Sequence, residues 1–151
     1  MPQSSELHKR AVILNSLRSC PLFSGFPGED LQRVADLATV KVVEAGASLF
    51  REGDPSLGFF VVQKGRISVF RDASAGEGAF SHVYGTGDSF AEASLAEVNG
   101  HAATACAQEA SQVLMIQWAG FLALLRKQPE LALRMVGSMS DRLAKRVAFG
   151  S

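Results

Sequence analysis

The 151-residue sequence predicts a mainly β domain, an antiparallel sandwich or barrel, with helices on both flanks. Three observations carry this. Short β-branched and aromatic runs separated by glycine fill the middle of the chain, from Val40 to about Ile116. Both ends instead repeat apolar residues every three or four positions, and 47% hydrophobic content is enough for one sizeable core.

Taken in order, "SSELHKRAVILNSL" sets Leu7, Ala11, Leu14 and Leu17 at helical spacing, with Ser4 or Ser5 able to cap. "CPLFSGFPGEDLQRVADLA" is a punctuated turn and then a helix from near Pro27. Glu29 and Asp30 suit its N-terminal dipole, and Leu31, Val34 and Leu37 form its buried face. The runs "TVKVVEAG", "SLFREGD", "GFFVVQKG", "RISVFRD", "AFSHVYGTGD", "TACAQEA" and "QVLMIQW" read as strands. The glycines at 46, 53, 65, 76, 78, 85 and 87 are expected in tight turns needing positive φ, with "SAGEG" at 74–78 as a hairpin tip.

Helical spacing returns after Trp118 in "AGFLALLRKQ", and Pro129 suits the first position of a longer helix, "PELALRMVGSMSDRLAKRVAFG". In that helix Ala132, Val136, Met139, Leu143 and Val147 recur at four, three, four and four residues. From spacing alone the stripe can lie on its own barrel or form a seam with a second subunit.

Composition excludes several classes. Fifteen basic and fifteen acidic residues give no net charge, so no global nucleic-acid or membrane surface is advertised. Cys20 and Cys106 are far apart with no CxxC, against a disulfide framework or a zinc site. No run reaches spanning length and the N-terminus lacks a signal peptide's apolar core, so a cytoplasmic protein is expected, with no membrane partner. There is no HxH pair, Walker loop or dinucleotide glycine motif, so no enzyme is expected.

Three ordered motifs resemble the effector domain of the CRP/FNR superfamily of bacterial transcription regulators, over about Leu22 to Val147. The first is "GASLFREGDPSLGFFVVQKGRISVF", with Gly46, Leu49, Phe50, Gly53, Asp54, Phe60 and Gly65 at the family's positions. The second is "GDSFAEASLAEVNGHAATA", Gly87 to Ala105, similar to the phosphate-binding cassette. Phe90, Glu92, Leu95, Ala103 and Thr104 align with it without a gap. The third is "PELALRMVGSMSDRLAKRV", which resembles the helix that pairs between family subunits.

The resemblance implies a double-stranded β-helix (jelly-roll, cyclic-nucleotide-binding-like) with N-terminal helices at 1–39 and a barrel at 40–118. It further implies C-terminal helices at 119–151, with a dimerisation helix at 129–149. It assigns the Ala132 to Val147 stripe to a homodimer. Family regulators read DNA through a following helix-turn-helix, which lies outside this sequence, so a sensory domain cut from a longer regulator is expected.

The cassette departs from the family at its chemistry. Family members that bind cyclic nucleotide use the glutamate for the ribose and the arginine for the phosphate, a task suited to a planar cation. Here Glu92 is kept, but His101 stands at the arginine position, with Ala102 beside it, and Ala91 replaces the glycine. Losing a charge-assisted contact to buried phosphate weakens binding by about a hundredfold or more, so cyclic AMP is not the expected ligand. Gap-free counting also puts Arg146 and Val147 where cyclic-AMP-responsive members carry a base-reading threonine–serine pair.

The "FAEA" form resembles the regulators of denitrification and of responses to nitric oxide or low oxygen, and so implies a haem-based sensor. Candidate haem ligands are His82, His101 and His8, joined by the two cysteines and four methionines. The candidate ligand-site residues are Phe90, Ala91, Glu92, His101, Ala102 and Thr104. An ordinary cyclic-nucleotide module and a ligand-free protein-interaction domain are the alternatives.

Overall fold

The computed structural model describes residues 4–71, 80–92 and 100–148. The chain opens with α1 (Ser4–Ser19), a 3-10 turn (Pro21–Phe23) and α2 (Gly28–Leu37). Eight strands follow: β1 (Ala38–Val43), β2 (Ser48–Phe50), β3 (Gly58–Lys64), β4 (Ile67–Arg71), β5 (Phe80–Tyr84), β6 (Ser89–Phe90), β7 (Thr104–Ala107) and β8 (Ser111–Gln117). It closes with α3 (Trp118–Lys127) and α4 (Pro129–Ala148).

The strands form two four-stranded antiparallel sheets, β1-β8-β3-β6 and β2-β7-β4-β5. Apart from the β4–β5 hairpin, successive strands switch between the two sheets, the winding of a jelly-roll, so the expected fold class is the observed one. In "GFFVVQK" every residue from Gly58 to Val62 is buried, because both faces of the first sheet are covered. Phe59 and Val61 face the helices, in a core with Leu17, Phe23, Leu114 and Phe121. Phe60 and Val62 face the barrel interior, in a second core with Phe50, Ile67, Phe90 and Val113.

The N-terminal helix departs from its sequence pattern. Leu17 is fully buried and Leu14 packs on the core, but Leu7 is exposed, as is Ala11. The helix meets the body from Arg10 onward, where that arginine donates to Asp36 and to the Gln32 carbonyl of α2. Its apolar contacts come from the later turns, before the chain turns at Cys20. On α2, Leu31 and Val34 are buried as expected and Leu37 is half-buried. Its Asp30, expected to serve the helix dipole, is also buried, receiving Arg33 Nη1 at 2.7 Å and Gln128 Nε2 at 2.6 Å.

Positive φ occurs at Gly46, Gly53, Gly65 and Gly87, and also at Gly100, which the sequence reading passed over. Gly85 does not adopt it. Its N–H is held by Asp88 Oδ2 at 2.8 Å, and the left-handed residue of that turn is Gly87. Gly76, Gly78 and the "SAGEG" tip lie outside the described residues.

The long helix α4 turns Leu131 and Met135 into the helical core and leaves Leu133, Val136 and Met139 exposed. Ser138 Oγ donates to the carbonyl of Pro21 at 3.0 Å, and Arg134 Nη1 to that of Gly25 at 2.9 Å. The helix is therefore tied to the Pro21–Gly25 elbow by its inner side. Ala132 is half-buried, and the side chains of Leu143 and Val147 lie outside the described residues.

Candidate functional site

The cassette begins at a turn locked to β3. Gly87 donates to the carbonyl of Val62 and Val62 to that of Asp88, each at 2.9 Å, so β6 enters the first sheet with Phe90 opposite Phe60. Phe90 is 1% exposed and stacks on Phe60 and Tyr84 at centroid separations of 5.2 and 5.3 Å. It is a core residue that anchors the cassette.

Ala91 follows with φ 67°, the one non-glycine positive φ among the described residues. The backbone here holds a left-handed conformation that glycine adopts freely, although a Cβ makes it cost about 1–2 kcal/mol. Glu92 comes next, and its Oε1 accepts a hydrogen bond from Ser89 Oγ, whose residue is buried. Residues 93–99, including Leu95, lie outside the described residues.

The far end of the cassette is sewn to the β2–β3 loop. Gly53 donates to the carbonyl of His101 and His101 N–H to that of Asp54, both at 2.8 Å. The approach is so close that a Cβ on Gly100 would lie 2.3 Å from the Asp54 oxygen. Thr104 Oγ1 accepts from the backbone N–H of Glu52 at 3.0 Å, so Thr104 braces the same loop.

His101 is 5% exposed, and its ring lies over Phe50 at 3.6 Å and 11°. An arginine at this position would extend a cation toward a phosphate. The imidazole instead folds back onto the barrel's own aromatic packing. The contact begins a row of rings: His101 on Phe50, Phe50 on Phe60, Phe60 on Phe90, Phe90 on Tyr84, and Tyr84 edge-on to His82 at 4.5 Å. The row runs from a buried histidine to an exposed one.

The three histidines are thus differently placed. His8 is exposed on α1, His82 is exposed on β5, and His101 is buried at the cassette's end. Among the described residues, no group of three or more His, Cys, Asp or Glu side chains is placed to hold a metal ion. Ala102 is half-buried and brings no polar group. The cassette from Gly87 to Ala105 contains no Arg or Lys in its sequence.

Sequence reasoning missed Ser89, Phe50 as the platform for His101, and Gly100. Ser89 stands three residues before Glu92, and Gly100 immediately precedes the histidine, so both were visible as spacing. The Phe50 contact joins residues 51 positions apart and had no local signal.

Residues 40–128 match the family described as "Cyclic nucleotide-binding domain". The chain belongs to that family. The cyclic AMP receptor protein of Thermus thermophilus is 26% identical over 84% of this chain and 59% of its own length. A cAMP-dependent protein kinase regulatory subunit of Eremothecium gossypii is 29% identical over 81% of this chain and 26% of its own. The chain therefore spans less than two thirds of these relatives.

Among solved structures, the sensor domain of the transcriptional regulator DNR from Pseudomonas aeruginosa superposes with a TM-score of 0.75 and 27% identity. That match covers 92% of this chain and 93% of that one. The Thermus thermophilus catabolite activator protein gives 0.71 and 25%, over 85% and 60%. The domain is thus a cyclic nucleotide-binding-type domain that is similar to those of CRP/FNR-type regulators. No described helix is long and apolar enough to cross a membrane.

Proposed function

We propose that this chain is the sensory and dimerisation domain of a CRP/FNR-type transcription regulator and that it does not respond to cyclic nucleotide. The observation that carries the second half is His101: the residue at the phosphate-gripping position is a buried imidazole stacked on Phe50. End-to-end likeness to a regulator's sensor domain supports the first half. The domain would comprise residues 1–151 and act in the cytoplasm, with DNA read by a helix-turn-helix outside this sequence.

The dimer would form through α4. Val136 and Met139 are 58% and 37% exposed in the single chain, while the helix's inner row is already occupied by Leu131 and Met135. Ligand binding would then shift the population of paired-helix arrangements and so the spacing of two DNA-reading units.

For the signal, haem-based sensing of nitric oxide or redox state is the finer reading. Haem iron would supply the gas-binding chemistry. His82 is the histidine suited to hold it, being exposed while sharing the face of Tyr84, whereas His101 is consumed by Phe50.

Calorimetry with cyclic AMP and cyclic GMP tests the first claim: no binding in the micromolar range is expected, and tight binding overturns it. Haem titration followed in the Soret region tests the second. A one-to-one complex weakened by His82→Ala is expected, and no stoichiometric complex, or one indifferent to that variant, overturns it.

A further inference from the structure

The helical side of the domain carries a cleft that neither the cassette nor the α4 stripe accounts for. It lies where α2 meets α3 and has a volume of about 350 Å³. Small-molecule sites span roughly 300–1,000 Å³, so the cleft has room for a small ligand. Its walls are aliphatic, from Leu37, Ala123 and Leu124, and its rim is polar, from Arg33, Lys127 and Gln128. A glycine lets the two helices approach here, because a Cβ on Gly120 would lie 2.5 Å from Leu37 Cδ2.

The polar rim is organised from beneath. Asp30, 4% exposed, takes Arg33 Nη1 at 2.7 Å and Gln128 Nε2 at 2.6 Å on the same oxygen, Oδ1. With Nη1 held by Asp30, Arg33 keeps its Nε–Nη2 edge, a pair of donors that matches a carboxylate side-on. Lys127 is exposed and makes no ion pair with a described residue. Two cations against one buried carboxylate leave the cleft one positive charge in excess. The cleft also sits at the root of α4, since Gln128 joins α3 to it and accepts the Leu131 N–H at 3.0 Å.

We propose that this cleft binds a small aliphatic carboxylate, its charged group between Arg33 and Lys127 and its tail along Leu37, Ala123 and Leu124. One negative charge balances the excess positive one, and the tail displaces water from walls that present only hydrocarbon. Asp30 fixes the arginine before the ligand arrives, which lowers the ordering cost of binding. The lining residues belong neither to the cassette nor to the exposed row of α4, so the site is independent of the sensor and dimer roles proposed above.

Calorimetry with octanoate and with octanol tests it, since the two share a tail and differ in charge. A single octanoate per chain is expected, bound about tenfold or more tighter than octanol, and about tenfold more salt should weaken it several-fold. Lys127→Gln and Arg33→Gln should each remove most of that preference, and Ala123→Phe should close the cleft to both ligands. Lys64→Gln on β3, which does not line the cleft, should change nothing. Thermal unfolding of each variant separates lost binding from lost fold. Arg33→Gln takes a partner from the buried Asp30, so if it does not fold, the variants at exposed Lys127 and Ala123 decide. An unchanged preference in either charge-removing variant, binding that survives Ala123→Phe, many-site binding, no preference for octanoate, or no octanoate binding overturns the proposal.

Discussion

The two faces of the β1-β8-β3-β6 sheet are packed by different chemistry. The helical face is filled by aliphatic and aromatic side chains, and Asp30, the one buried acid among the described residues, is tied to Arg33 and Gln128. The barrel face is filled by a row of rings that begins at His101 and ends at His82, with Phe50, Phe60, Phe90 and Tyr84 between. A single run, "FFVV", supplies both faces by alternation. The helical core is apolar apart from that tied acid, whereas the barrel core keeps polar rings at its ends, His101 buried and His82 exposed.

That contrast can be broken most strongly in the helical core. Phe121→Ala removes a fully buried ring packed on Phe23, Phe59 and Trp118, and should cost about 3–5 kcal/mol in urea unfolding. Phe50→Ala should fall at or below the lower end of that range, because the His101 ring can settle into the space. An equal loss would mean that the histidine is as fixed as the core.

Met139→Asp comes next. It should dissociate the proposed dimer in sedimentation experiments while leaving monomer unfolding nearly unchanged, because Met139 is exposed in the single chain. A wild-type chain monomeric at high concentration would remove the seam.

Gly100→Ala should destabilise by about 2 kcal/mol or more, since φ is 88° and the new Cβ would press on two backbone oxygens, of Asp54 and Gly53. Little change in the unfolding midpoint would show that the loop yields. The smallest effect is of opposite sign. Ala91→Gly should stabilise by a few tenths to about 1 kcal/mol, because glycine adopts φ near 67° without steric cost. Destabilisation would mean that the Ala91 methyl packs well enough on the barrel core to outweigh the strain.

Much of the fold was legible in the sequence because its signals are local. Two-residue alternation, glycine punctuation and apolar repeats placed the strands and helices, and the ordered motifs pointed to the jelly-roll. Where those signals failed, a distant contact had intervened. Leu7 shares its helical stripe with Leu17 but lies beyond the reach of the barrel. Gly85 resembles its turn-forming neighbours, yet the Asp88 carboxylate holds its N–H and shifts the left-handed residue to Gly87.

The candidate site divides along the same line. That the cassette lacks a basic residue, keeps Glu92 and carries His101 was readable one position at a time. Where these groups point was not. Ser89 holding Glu92 is a three-residue relation, but His101 on Phe50 exists only once β2 and β7 pair.

By itself, then, the sequence determined the family architecture and the absence of a phosphate-gripping arginine, both properties of residue type and spacing. The tertiary structure alone decided that the replacing histidine turns inward onto Phe50. Strand register sets which distant side chains meet, and no local pattern encodes that register.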